Sequence, residues 1–79
     1  MIRVQIKSEQ AKYDNQHDVL HVMFPPADLS IDDEDFPGII VRRSVRDDRI
    51  TGLTILDFSK RKEFLKEYLP RYDFSKIPF

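Results

Sequence analysis

Strict alternation of apolar and polar side chains leaves this chain few folds to choose from, because only an extended strand sends successive side chains to opposite faces. Ile2, Val4 and Ile6 alternate with Arg3, Gln5 and Lys7. Over residues 18–24, Leu20, Val22 and Phe24 share one face while Val19, His21 and Met23 share the other. Over residues 38–45, Ile39, Val41 and Val45, with Arg43 among them, oppose Ile40, Arg42 and Ser44. Residues 50–58 read as the return strand. There Ile50 and Leu53 reach the same side only if one extra residue is inserted, and Gly52 is the natural place for that bulge.

The punctuation between these runs is equally plain. Asp14-Asn15-Gln16-His17 is a turn by composition, Pro25-Pro26 removes two successive ladder donors, and Arg46-Asp47-Asp48-Arg49 closes a hairpin. Whether residues 8–13 bend the first strand or begin another stays open. Residues 27–37 read as an acidic loop in which Leu29 and Ile31 add at most a short edge pairing. Ser59 stands where a helix over residues 60–69 needs an N-cap, and Phe64, Leu65, Tyr68 and Leu69 form its apolar stripe before Pro70 ends it. The expected class is α+β. One domain would hold an antiparallel β-meander of about four strands (1–58), one C-terminal helix packed on it (59–69) and an extended aromatic tail (70–79).

Stability then becomes the question. A chain of 79 residues buries only about 60–65% of its unfolded surface. It has no cysteine, so neither a disulfide nor a thiolate metal site braces it, and two histidines cannot close a structural zinc shell. Oligomerisation or an unusually well-packed core is the remaining reinforcement. Both sheet faces are partly apolar while a single helix covers one of them, so a homodimer through Val19, Met23, Ile40 and Leu56, or a partner covering that face, is expected.

Net charge is −1, which argues for neither nucleic acid nor an anionic membrane. No apolar run approaches the roughly 20 residues that span a bilayer, and the first residues lack a basic stretch followed by an apolar one, so a cytoplasmic protein without a membrane anchor is expected. Charge is nonetheless split: residues 28–35 carry five acids and no base, and residues 60–79 six bases against three acids.

Candidate chemistry is thin. His17 and His21 straddle a turn and a strand rather than one helix face, and Asp14 and Asp18 are accounted for by turn capping. The quartet Asp32-Asp33-Glu34-Asp35 lacks the alternating ligand spacing, central glycine and distal glutamate of a calcium loop. Ser59 beside Lys60 has no histidine or oxyanion loop near it. Arg42, Arg43, Arg46 and Arg49 would suit weak nucleic-acid binding through the 42–49 hairpin, but Asp47 and Asp48 sit among them and no aromatic is interleaved. No catalytic residue, metal ligand or cofactor is expected. The tail differs: five of nine aromatics fall in the last sixteen residues, and aromatics with arginine anchor interfaces. Phe64, Tyr68, Tyr72, Phe74, Ile77 and Phe79 are therefore candidate partner contacts.

Three stretches together resemble a known family. They are Tyr13-Asp14-Asn15-Gln16-His17-Asp18-Val19-Leu20, Pro37-Gly38-Ile39-Ile40-Val41 and Gly52-Leu53-Thr54-Ile55-Leu56-Asp57-Phe58-Ser59-Lys60-Arg61. The family is the small bacterial one known as domain of unknown function 2283. The resemblance implies a short β-meander followed by a helix, without established catalysis. It also implies a place in toxin–antitoxin-like gene pairs, where such a protein neutralises a small, basic RNase-type toxin. A long first strand and the aromatic tail depart from that pattern. The expected function is a non-enzymatic protein-binding module, antitoxin-like, with a purely structural homo-oligomer as the alternative.

Overall fold

The computed structural model describes residues 3–77. Its elements are β1 (Val4–Gln5), β2 (Ala11–Asp14), β3 (Val19–Met23), β4 (Ser30–Phe36), β5 (Ile39–Ser44), β6 (Ile50–Leu56), α1 (Phe58–Arg61), α2 (Leu65–Tyr68) and β7 (Tyr72–Asp73). A 3-10 turn, Ser8–Gln10, precedes β2, and another, Lys62–Phe64, joins the two helical turns. The main sheet has five antiparallel strands in the order β2-β3-β6-β5-β4, so β6 is its centre, and β1 pairs with β7 in parallel. This is the α+β class that the alternation implies.

Register fixes the faces. Leu20, Ile55 and Ile39 lie side by side on β3, β6 and β5, and Val22, Leu53 and Val41 form the next row. All six are buried, and Phe58, Leu65, Leu69, Tyr72, Ile77 and Ile6 close over them. The bulge is found beside Gly52 rather than on it: Arg42 faces Gly52 and Arg43 faces Ile50, which leaves Thr51 as the extra residue. Gly52 has its own constraint, since a Cβ there would lie 2.9 Å from the Val22 carbonyl oxygen.

Four expectations need correction. The first strand does not belong to the meander: only Val4 and Gln5 are extended, on β7, with Val4 N donating to Arg71 O (2.7 Å), while Ile6 enters the core. Ile2 and Phe79 lie outside the described residues. The acidic loop is an edge strand, β4, in register with β5 from Ser30 to Glu34, and a bulge at Asp35 shifts the pairing before Phe36 meets Ile39. Acids are poor strand formers, yet here Asp32 pairs with Arg42 at 3.0 Å and Asp35 with Arg43 at 3.1 Å, so cross-strand charge offsets propensity.

The helical segment from Phe58 to Tyr68 is broken by its 3-10 middle turn, and Ser59 is not its N-cap. Asp57 holds that position in the left-handed region (φ 51°). Finally, the tail folds back on its own chain. Tyr72 stacks on Phe24 with ring centroids 5.6 Å apart, Ile77 is buried, and Arg3 donates to the carbonyls of Pro70 and Tyr72 at 3.2 Å each.

Candidate functional site

Helix and tail cover one face of the sheet, and among the described residues no layer covers the opposite face, whose rim carries Glu9 and Gln10 of the 3-10 turn. Its middle row runs Lys12, His21, Thr54, Ile40, Glu34 across all five strands. One row carries Asp14, Val19 and Leu56, and the row on the other side carries Met23, Gly52, Arg42 and Asp32. Val19, Met23, Ile40 and Leu56 therefore share this open face. Met23 is 59% and Leu56 36% exposed, and Val19 and Ile40 are half-buried by their neighbours alone. Around Gly52 the missing side chain leaves a hollow of about 430 Å³ lined by Lys12, His21, Met23, Arg42 and Thr54. A second hollow of about 300 Å³ adjoins it, walled by Met23, Phe24, Pro25 and Ala27.

The other candidates are placed quite differently. Among the six tail and helix residues, Tyr72 and Ile77 belong to the core and Phe79 lies outside the described residues. Tyr68 is half-buried against Phe36, with ring centroids 5.3 Å apart, Phe74 is half-buried, and Phe64 is 48% exposed. Among the five described, Phe64 is the one that is exposed. The five described residues among them do not form one surface, since Tyr72 and Ile77 are buried.

The arginines of the 42–49 hairpin are engaged within the chain. Arg42 and Arg43 meet the β4 acids, Arg46 lies 3.1 Å from Asp28, and Arg49 donates to the carbonyl oxygens of Phe24 and Pro26. Arg46 holds the Asp28 carboxyl below the usual carboxylate range, with Ser44 Oγ donating as well. A phosphate would have to compete with these partners. Among the described residues, no group of three or more His, Asp or Glu side chains is arranged to hold a metal ion, and no helix is long and apolar enough to cross a membrane.

β4 forms one edge of the sheet. Val45 N donates to Leu29 O at 2.9 Å, which turns the backbone of residues 29, 31 and 33 towards β5. By alternation, the N–H and C=O groups of Ser30, Asp32 and Glu34 point outward.

Reading the sequence residue by residue misses one constellation. Asp18, at φ 56°, accepts from Tyr13 Oη at 2.7 Å and from Ser59 N at 3.0 Å through one oxygen, and from Ser59 Oγ at 2.7 Å through the other. Its own carbonyl accepts from Phe58 N. Asp18 thus caps the start of α1 from another hairpin, meeting an orphan first-turn amide that Asp57 leaves without a side-chain cap. The Ser59 donors, followed by Tyr13, hold its pKa low, and the hydrogen bond to Asp18 holds the Tyr13 phenol high. Asp14 closes the adjacent turn, accepting from Gln16 N and His17 N and contacting His17 Nδ1 at 2.8 Å. The signal in the sequence was the pairing of the two motifs, not either one alone.

The family model described as "Protein of unknown function (DUF2283)" matches residues 10–59. That span starts one residue before β2 and ends at Ser59, so it contains both halves of the Asp18 latch and the whole five-stranded sheet. No curated protein and no solved structure shows significant similarity to the chain.

Proposed function

We propose, from the premise that the chain belongs to the DUF2283 family of proteins of unknown function, that it is a non-enzymatic protein-binding module that self-associates through the open face of its sheet. One observation carries this reading: Val19, Met23, Ile40 and Leu56 share a face that no layer covers among the described residues, while the helical segment and tail pack on the opposite side. Flat, mixed apolar and polar, with a hollow at Gly52, such a face has the make-up of a modest interface. It lacks the converging, strongly perturbed groups of a catalytic cleft. Analytical ultracentrifugation tests it directly. The wild type should gain dimeric mass with concentration, and Leu56→Asp should stay monomeric with an unchanged circular dichroism spectrum. A wild type that remains monomeric into the millimolar range overturns the reading.

A second reading concerns a different partner on a different surface. The outward backbone of Ser30, Asp32 and Glu34, flanked by acids, favours addition of an extended basic segment to the β4 edge. A small basic protein of the RNase-type toxin class fits that surface by charge. Expression of the tagged chain together with its neighbouring genes provides the test. Capture of a basic protein that is lost in Asp32→Lys and Glu34→Lys supports an antitoxin-like role, and capture insensitive to both changes removes it.

A further inference from the structure

Resting on the reading of the open face as a self-association surface, we infer that the second copy is related by a two-fold axis running along β6, with Lys12 of each copy over the partner subunit's Glu34. The middle row of the face has a sign at each end. Lys12 on β2 and Glu34 on β4 both lie in register with Thr54 on β6, two strands away on opposite sides. At the usual strand spacing each stands about 10 Å from the centre line.

An isologous face-to-face pair has its axis in the plane between the sheets, and two choices keep the strands aligned. An axis across the strands through this row sets Lys12 over the partner subunit's Lys12 and Glu34 over the partner subunit's Glu34, repelling twice. An axis along β6 sets opposite charges over each other twice. That second choice also places Ile40 over the partner subunit's His21 and Leu56 against the partner subunit's Leu56. The two Gly52 hollows then face each other, a space that the flexible Met23 side chains beside them can fill.

The face measures about 20 by 15 Å between outer Cα atoms, or about 500 Å² per copy once side chains are included. About 1,000 Å² in total is at the low end for specific interfaces, so charge placement decides orientation and the dimer depends on concentration.

The chain has no cysteine, which makes single-cysteine crosslinking clean. Full-length Thr54→Cys and Lys12→Cys would each be treated with a bismaleimide spanning about 10 Å, the distance between packed sheets. Thr54→Cys, on the axis, should give covalent dimer. Lys12→Cys should not, because its own copies are about 19 Å apart laterally. Independently, Lys12→Glu should weaken the dimer about tenfold, as two rim pairs turn from attraction to repulsion, and adding Glu34→Gln, which removes the repelled charge but keeps an oxygen to accept from Gly38 N, should recover most of it. Efficient crosslinking of Lys12→Cys, or failure of the added Glu34→Gln to recover a dimer that the wild type forms, overturns the axis while leaving self-association intact. Absence of any dimer in the wild type overturns both.

Discussion

Asp18 holds together segments that are far apart in the chain, and its chemistry sets limits on pH. Ionised, it accepts three hydrogen bonds from Tyr13 and Ser59. Its folded pKa lies below the ordinary aspartate value of 3.8, so its contribution is complete above that value and is lost as pH falls through the lower folded one. Tyr13 is the mirror case. Its folded pKa lies above 10.0, so its contribution is present below that value and is lost as pH rises through the higher folded one. Urea midpoints measured across pH should show a plateau between these limits. Burial raises the Tyr72 phenol as well, so Tyr13→Phe should flatten the alkaline arm only in part. Asp14, Asp28 and Asp73 also have lowered pKa values, so Asp18→Asn should flatten the acid arm only in part. At pH 7 the midpoints should fall in the order wild type, Asp18→Asn, Asp18→Ala, because Asn keeps an acceptor and tolerates the left-handed backbone while Ala does neither.

Gly38 supplies a second test on this scale. It sits at φ 81°, its N–H donates to Glu34 Oε2 at 2.9 Å, and a Cβ would lie 2.5 Å from Arg61 Nη2. Gly38→Ala should cost about 1–3 kcal/mol by chemical denaturation. Since the Arg61 guanidinium can swing away, Gly38→Ala in an Arg61→Ala background should recover only the smaller, steric part. What the sequence shows here is uneven. Asp14 as a turn cap is readable from composition, whereas Asp18 at the start of α1 depends on a contact 41 residues away and has no local signature.

Elements reveal why strand propensity and helix propensity both misled in places. The 30–36 segment has four acids in a row and no alternation, so it reads as loop, and only the facing Arg42 and Arg43 make it a strand. The apolar stripe at 64, 65, 68 and 69 is real, but its members divide into buried Leu65 and Leu69 and more exposed Phe64 and Tyr68. Alternation in β3, β5 and β6 was legible because each strand has one buried face, and the same alternation marked Val19, Met23, Ile40 and Leu56 as the opposite face. The tail was legible only as greasy; nothing local says that β7 pairs with β1. With Tyr72 and Ile77 in the core, removing residues 70–79 should unfold the chain rather than merely strip a contact. Ile77→Ala should cost about 2–5 kcal/mol, measured by thermal or urea unfolding. Phe64→Ala, by contrast, should change stability by no more than about 1 kcal/mol. An equal loss at both positions would mean that the helix buries Phe64 in solution.

At the scale of the molecule, the proposed self-association would be coupled to folding. A domain of this size, with no cysteine to form a disulfide, leaves one sheet face uncovered among its described residues, and any dimer formed on that face would bind the folded state alone. Mass action then stabilises the fold by an amount that grows with the logarithm of concentration beyond the dissociation constant, about 1.4 kcal/mol for each tenfold excess. The midpoint of thermal unfolding should therefore climb with protein concentration in the wild type. In Leu56→Asp it should be independent of concentration and should match the wild type extrapolated to high dilution, because Leu56 contributes to the open face and not to the core cluster. Differential scanning calorimetry over two decades of concentration reads both slopes. If the variant keeps the wild-type slope, another surface, such as the β4 edge, must join the copies. If neither slope departs from zero, the sheet is stable with one face bare, and Phe58, Leu65, Tyr72 and Ile77 on the covered side suffice to hold it.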